Sequence, residues 1–127
     1  GQPGQPRQPG QLGQVVHAED VQMGVLMMEL CNLVEDKGVQ LVGPVMRLAA
    51  LDATAGSDLV STLEAWLDSF VDVNATAEAV HVHPNTVRYR LRRMSEVGEL
   101  DLQCPEARYE AMLQIRLLRA RESHAPA

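Results

Sequence analysis

Residues 74–94 read NATAEAVHVHPNTVRYRLRRM, and this stretch decides the fold. It holds two short helical patterns on either side of a tight corner. Asn74 is placed to cap a first helix running through Val80, because a side-chain oxygen there can accept from the free N–H groups of the first turn. Ala77 is small enough to let a second helix cross closely. Pro84 can open that second helix, where its missing N–H costs nothing, with His83 near the cap. Val87, Leu91 and Met94 follow at spacings of four and three and predict its buried stripe. Val80 and Val82 flank the turn and plug the corner. Together, Ala77, Val80, Val82, Val87 and Leu91 form the apolar skeleton of a helix-turn-helix. His81 stands at the corner where many such motifs use glycine. Histidine enters the left-handed region more readily than most residues, so the corner is strained but permitted.

The other face of the second helix follows from about 100° per residue. With Val87, Leu91 and Met94 inward, Asn85, Arg88, Tyr89 and Arg92 point outward, and Thr86 and Arg93 lie on one flank. Arg90 falls nearer the buried stripe and is available to pair with an acid inside the domain. Asn and Arg are the side chains that form bidentate hydrogen bonds to adenine and guanine edges in the major groove. Thr86 and Tyr89 suit phosphate or methyl contacts. A basic helix face is also a common solvated surface, and Glu96, Glu99 and Asp101 are near enough in sequence to neutralise it.

The longer stretch LVSTLEAWLDSFVDVNATAEAVHVHPNTVRYRLRRMSEVGELDL, residues 59–102, resembles the C-terminal helix-turn-helix domain of PucR/CdaR-type bacterial transcriptional regulators. HVHPNTVRYRLRR is close to that family's most specific signature. The resemblance covers about Leu51 to Arg119, and the helix entered at Gly43-Pro44 weakly matches the segment that usually precedes the domain. It implies a domain that binds promoter DNA, joined to a variable N-terminal sensor domain that responds to metabolites. It also implies His83, Asn85, Thr86, Arg88, Tyr89 and Arg92 as the recognition surface, and it accommodates histidine at the corner. The Gln-Pro-Gly leader and the methionine-rich first helix depart from the family pattern.

Outward from the motif, Leu59, Leu63, Trp66, Leu67 and Phe70 predict an amphipathic helix capped by Ser57, with Asp58 in its first turn and Glu64 and Asp68 outside. A helix is expected from Gly43-Pro44 to about Asp52, and another from about Val15 to Asp36, closed by Lys37-Gly38. The latter is apolar on several faces, through Val21, Val25, Met28, Leu26, Leu30, Leu33, Met27, Cys31 and Val34, which predicts a central or partner-binding helix. Pro105 opens a last helix carrying Tyr109, Met112, Leu113, Leu117 and Leu118. At most a residue or two of strand is expected, near Leu100. Residues 1–14 contain only Gly, Gln and Pro apart from Arg7 and Leu12, and read as a linker or tail. Their period of three breaks at Arg7 and is too short for collagen.

The 127 residues suit one core, and aromatics at 3% make that core aliphatic. The net charge of −6 is uneven: residues 1–80 carry three basic and eleven acidic side chains, residues 81–127 eight basic and six acidic. An acidic protein is a poor non-specific nucleic-acid binder, but a local basic stripe can still meet a phosphate backbone. No apolar run is long enough to span a bilayer, and no signal peptide opens the chain. Cys31 and Cys104 exclude a disulfide scaffold, and a reducing cytoplasm is the default. Cys31 reads as a buried, unreactive thiol. Cys104 precedes a helix start but lacks a resolving partner. His81, His83 and Cys104 make no complete ligand set, so no metal or other cofactor is implied. No nucleophile constellation or phosphate loop suggests an enzyme.

The expected architecture is all-α, a compact bundle of five or six helices containing the helix-turn-helix. Residues 1–14 would form the tail, residues 15–53 helices for dimerisation or packing, and residues 54–122 the DNA-binding domain. The chain starts with Gly and is expected to be a piece of a longer cytoplasmic regulator. The expected partners are double-stranded DNA, read with the helix at about 84–96 through His83, Asn85, Thr86, Arg88, Tyr89, Arg92 and Arg93, a second copy of the chain, and the sensor domain. The alternative is an interaction module whose basic helix docks an acidic partner.

Overall fold

The computed structural model describes residues 17–123, so the expected tail at residues 1–14 lies outside the described residues. Six helices follow in order: α1 (Ala18–Asp36), α2 (Pro44–Ala55), α3 (Leu59–Asp68), α4 (Val73–Val80), α5 (Pro84–Val97) and α6 (Pro105–Ser123). Among the described residues there is no strand, at Leu100 or elsewhere. The all-α class holds. The chain divides between Val39 and Gln40 into two units, so α2 belongs with the unit carrying the helix-turn-helix, earlier than a boundary at 53/54.

In the first unit, Glu19 and Asp20 sit in the first turn of α1, where acidic side chains favour the helix dipole. At its other end Gly38 takes a φ of 62°, and its N–H donates to the Glu35 carbonyl while the Val39 N–H donates to the Val34 carbonyl. This is the glycine closure that Lys37-Gly38 predicts. No residue of α1 is buried. Met27, Leu30, Cys31 and Val34 are half-buried along one stripe, while Val21, Met23, Val25, Leu26, Met28 and Leu33 are exposed. Cys31 is therefore half-buried rather than buried.

In the second unit, Val45 and Leu48 of α2, Leu59, Val60, Leu63 and Trp66 of α3, Met94 of α5, and Ala111, Ile115 and Leu118 of α6 form the core with Leu100 and Leu102. α2 starts with Pro44 and runs to Ala55, beyond the expected Asp52, before Gly56 ends it at a φ of 67°. The start of α3 corrects one expectation. Ser57 does not cap the helix. Its hydroxyl donates to Asp52 Oδ1 at 2.7 Å, and the Asp52 carboxylate itself accepts from the N–H groups of Leu59 and Val60 at 2.9 and 3.0 Å. A carboxylate has two oxygens and full charge for the orphan donors, so it displaces the hydroxyl.

The end of α3 corrects another. The helix stops at Asp68, and the Val71 N–H reaches back to the Trp66 carbonyl at 2.9 Å. That closure puts Phe70 at the left-handed position, φ 56°, and swings its ring into solvent at 92% exposure. Phe70 is therefore no part of the buried stripe. On α6, Leu117 and Leu118 are buried as expected, but Tyr109 and Met112 point outward and the inner stripe is Ala111, Ile115 and Leu118. α6 is tied to α3 by Arg119, whose Nη2 donates to Glu64 Oε1 at 3.1 Å and to Ser61 Oγ at 3.3 Å. Partial burial opposes the charge on Arg119, but its hydrogen bonds to Glu64 and Glu122 outweigh this and raise its pKa above the ordinary value.

Candidate nucleic-acid interface

α4, the corner and α5 form the helix-turn-helix. α4 begins one residue before Asn74, and its cap is Asp72, whose Oδ1 accepts from the Ala75 N–H at 2.9 Å. Asn74 is thus the second residue of the helix rather than its cap. Ala77 is buried at the crossing, and Val80 and Val82 are half-buried at the corner. His81 is left-handed, with φ 58° and ψ 46°. The Val82 N–H returns to the Ala77 carbonyl at 3.0 Å, which closes the turn without glycine.

α5 starts at Pro84, with His83 as its cap. The His83 Nδ1 accepts from the Asn85 N–H at 3.0 Å, so Nδ1 carries no proton in this arrangement and the exposed ring keeps Nε2 as its donor. Val87 and Met94 are completely buried and Leu91 is half-buried. Asn85, Arg88, Tyr89 and Arg92 are all exposed, and Thr86 and Arg93 are half-buried. The structure therefore places the predicted outward residues on the side away from the core. Arg88 Nη1 donates to Asn85 Oδ1 at 2.9 Å, joining two of them on the surface.

Arg90 turns inward as its phase predicts, but its partner is not an acid. Its Nη1 donates at 2.9 Å to Thr62 Oγ1, a fully buried hydroxyl that itself donates to the Asp58 carbonyl. Among the described residues, no acidic side chain pairs with Arg88, Arg92 or Arg93. Glu99, one of the candidate neutralising groups, lies 3.9 Å from Arg47 instead. The face stays positive.

One residue that holds this site escaped the sequence reading. Arg47 of α2 donates from Nε at 3.0 Å and Nη2 at 2.6 Å to the carbonyl of Gly98, the C-cap of α5. The two residues are 51 positions apart, and nothing local in the sequence marks them as partners. Among the described residues no cluster of His, Cys, Asp and Glu could hold a metal ion. No described helix is long and apolar enough to cross a membrane.

A tight left-handed corner, a seated second helix and a row of Arg and Asn without acidic partners on its outer face define a helix-turn-helix DNA-binding domain. Residues 59–117 match the PucR C-terminal helix-turn-helix domain. The chain is 32% identical over 71 residues to the DNA-binding transcriptional activator AdeR of Bacillus subtilis, covering 56% of this chain and 17% of AdeR. It is 41% identical over 63 residues to the carbohydrate diacid regulator of Escherichia coli, covering 50% of this chain and 16% of that protein. The purine catabolism regulatory protein of Bacillus subtilis is 29% identical over 107 residues, 84% of this chain and 19% of the relative. The chain thus spans less than a fifth of the length of these relatives. No solved structure matches it.

Proposed function

We propose that the chain is the sequence-specific DNA-binding output domain of a bacterial transcriptional regulator, and that α5 reads the major groove. The observation that carries this is the division of α5 into two faces. Val87 and Met94 are fully buried, Arg90 is tied inward to Thr62, and Asn85, Arg88, Tyr89 and Arg92 are left free of the core. Arg88 and Arg92 read guanine edges or grip phosphate, and Asn85 contributes to a base edge. His83, Thr86, Tyr89 and Arg93 contact the backbone on either side. The relatives' names, which include a transcriptional activator and two regulators, support this reading. In the longer protein an N-terminal sensor domain controls the output, the site of action is the cytoplasm, and the domain catalyses no reaction. One α5 covers only a half-site, so the working form is a homodimer, for which the exposed apolar residues of α1 offer a surface.

The test is selection of duplexes from a randomised library by the purified chain, followed by a salt titration on the enriched sequence. Binding that weakens steeply with salt, yet keeps its sequence preference at moderate salt, is the expected result. A chain that enriches no sequence would overturn the reading and leave an interaction module in its place.

A further inference from the structure

α5 is held at three places by three different means. His83 caps its start, Arg90 joins its middle to Thr62 of α3, and Arg47 of α2 grips the carbonyl that ends it. The last of these does something the helix cannot do for itself. The final turn of α5 contains Glu96 and no cation, although a helix C-terminus carries partial negative charge. Gly98 keeps a right-handed conformation, φ −83° and ψ −12°, and the chain turns left-handed one residue later, at Glu99 with φ 54°. The Gly98 N–H returns to the Met94 carbonyl, but among the described residues no later backbone N–H returns to the last carbonyls. Arg47 supplies the missing cation from another element, through a planar fork that fixes direction as well as distance. The neighbouring residue on α2, Leu48, packs on the same spot. A Cβ at position 98 would lie 2.9 Å from Leu48 Cδ2 and 2.8 Å from the Met94 carbonyl oxygen. Two consecutive residues of α2 therefore seat the end of α5.

Resting on the DNA-reading function proposed above, we propose that Arg47 is a positioning residue for sequence recognition, setting the angle at which α5 presents Arg88 and Arg92 to the bases. It lies outside the matched segment 59–117. Arg92 and Arg88 stand six and ten residues from Gly98, roughly 9 and 15 Å along the helix. A tilt of about 5° at the held end displaces them by roughly 1 Å, more than the spread of a good hydrogen-bond length. The Arg47 side chain is 44% exposed, so its contact adds little to stability while constraining geometry.

The test uses the duplex that the parent chain enriches and a scrambled duplex of the same composition. Affinity for both is measured at one moderate salt concentration for the parent, Arg47→Gln and Arg47→Lys, with Trp66 fluorescence reporting the folded fraction. Arg47→Gln is expected to stay folded and lose roughly tenfold in the ratio of the two affinities, about the worth of one bidentate base contact, with scrambled-duplex binding unchanged. Arg47→Lys keeps the cation without the fork and should recover only part of that ratio. A folded Arg47→Gln with the parent's ratio would overturn the inference, as would equal loss on both duplexes. If Arg47→Gln melts below the assay temperature, Arg47→Lys decides: a lowered ratio supports the inference and an unchanged one overturns it. A parent that enriches no duplex overturns the DNA-reading function itself, which separates the two failures.

Discussion

The Oδ1 of Asn85 accepts a hydrogen bond from Arg88 Nη1 at 2.9 Å, so the free recognition helix presents these two residues as a coupled pair. On the proposed DNA-reading function, Asn85 keeps its amide N–H groups for a base or phosphate, and its bond to Arg88 orients that side chain for the same contact. Pairs that share a hydrogen bond are non-additive. Asn85→Ala and Arg88→Ala should each weaken binding to the enriched duplex, and the double variant should lose less than the two losses combined. The expected coupling is about 0.5–3 kcal/mol. Additive losses in a double-mutant cycle would show that the two act independently on the DNA.

Scaffold and reader separate within the same helix. Val87 is fully buried, so Val87→Ala should cost about 1–3 kcal/mol of stability, with affinity falling only as the folded fraction falls. Arg92 is exposed, so Arg92→Ala should leave the melting curve in place and weaken binding by roughly 1–3 kcal/mol if it grips a guanine edge. If it touches only phosphate, affinity should drop evenly across sequences and the salt dependence become shallower. Arg90→Ala is the internal control. It strands the buried Thr62 hydroxyl without its donor and should lower stability more than recognition.

Phe70 predicts a gain. It holds φ 56° while its ring is 92% exposed, so glycine there removes strain and sacrifices almost no packing. The relief of about 1–2 kcal/mol outweighs the roughly 0.4–1 kcal/mol by which glycine loosens the unfolded chain. Phe70→Gly should therefore raise stability by roughly 0.5–1 kcal/mol. Phe70→Ala, which keeps the strained backbone, should leave stability nearly unchanged. A lower melting temperature for Phe70→Gly would mean that the exposed ring makes a contact in solution.

What the sequence made legible was periodicity. Val87, Leu91 and Met94 are spaced as one helix face, and that phase alone sorted Arg92 from Arg90. Helix ends were harder because several residues compete for the same orphan donors. Asp72 and Asn74 are both good caps two residues apart, and the carboxylate won. For α3 the capping group came from Asp52, back in the preceding helix, a choice visible only once α2 and α3 are packed. Phe70 fits the apolar spacing of α3, yet the chain had already turned left-handed beneath it. Arg47 left no local trace, because its partner is a backbone carbonyl far along the chain.

The proposed homodimer gives the last prediction. α1 buries none of its residues, and Met23 and Met28 are 64% and 66% exposed, with Leu26 and Leu33 both at 48%. An apolar surface of that kind gains by covering another copy of itself, and the resulting two-fold pair would set two α5 helices about one DNA turn, roughly 34 Å, apart. Light scattering on the parent should report a dimer at micromolar concentration. Replacing Met28 and Leu33 together by Glu should give a monomer whose Trp66 melting curve is unchanged, since neither residue belongs to the core around Trp66. Affinity for an inverted-repeat duplex should then fall by roughly 100-fold, as the second half-site no longer profits from the first. Binding to a single half-site should stay as it was. A parent that remains monomeric at high micromolar concentration would rule the dimer out, and so would a Glu variant that still dimerises in the case of α1 as its surface.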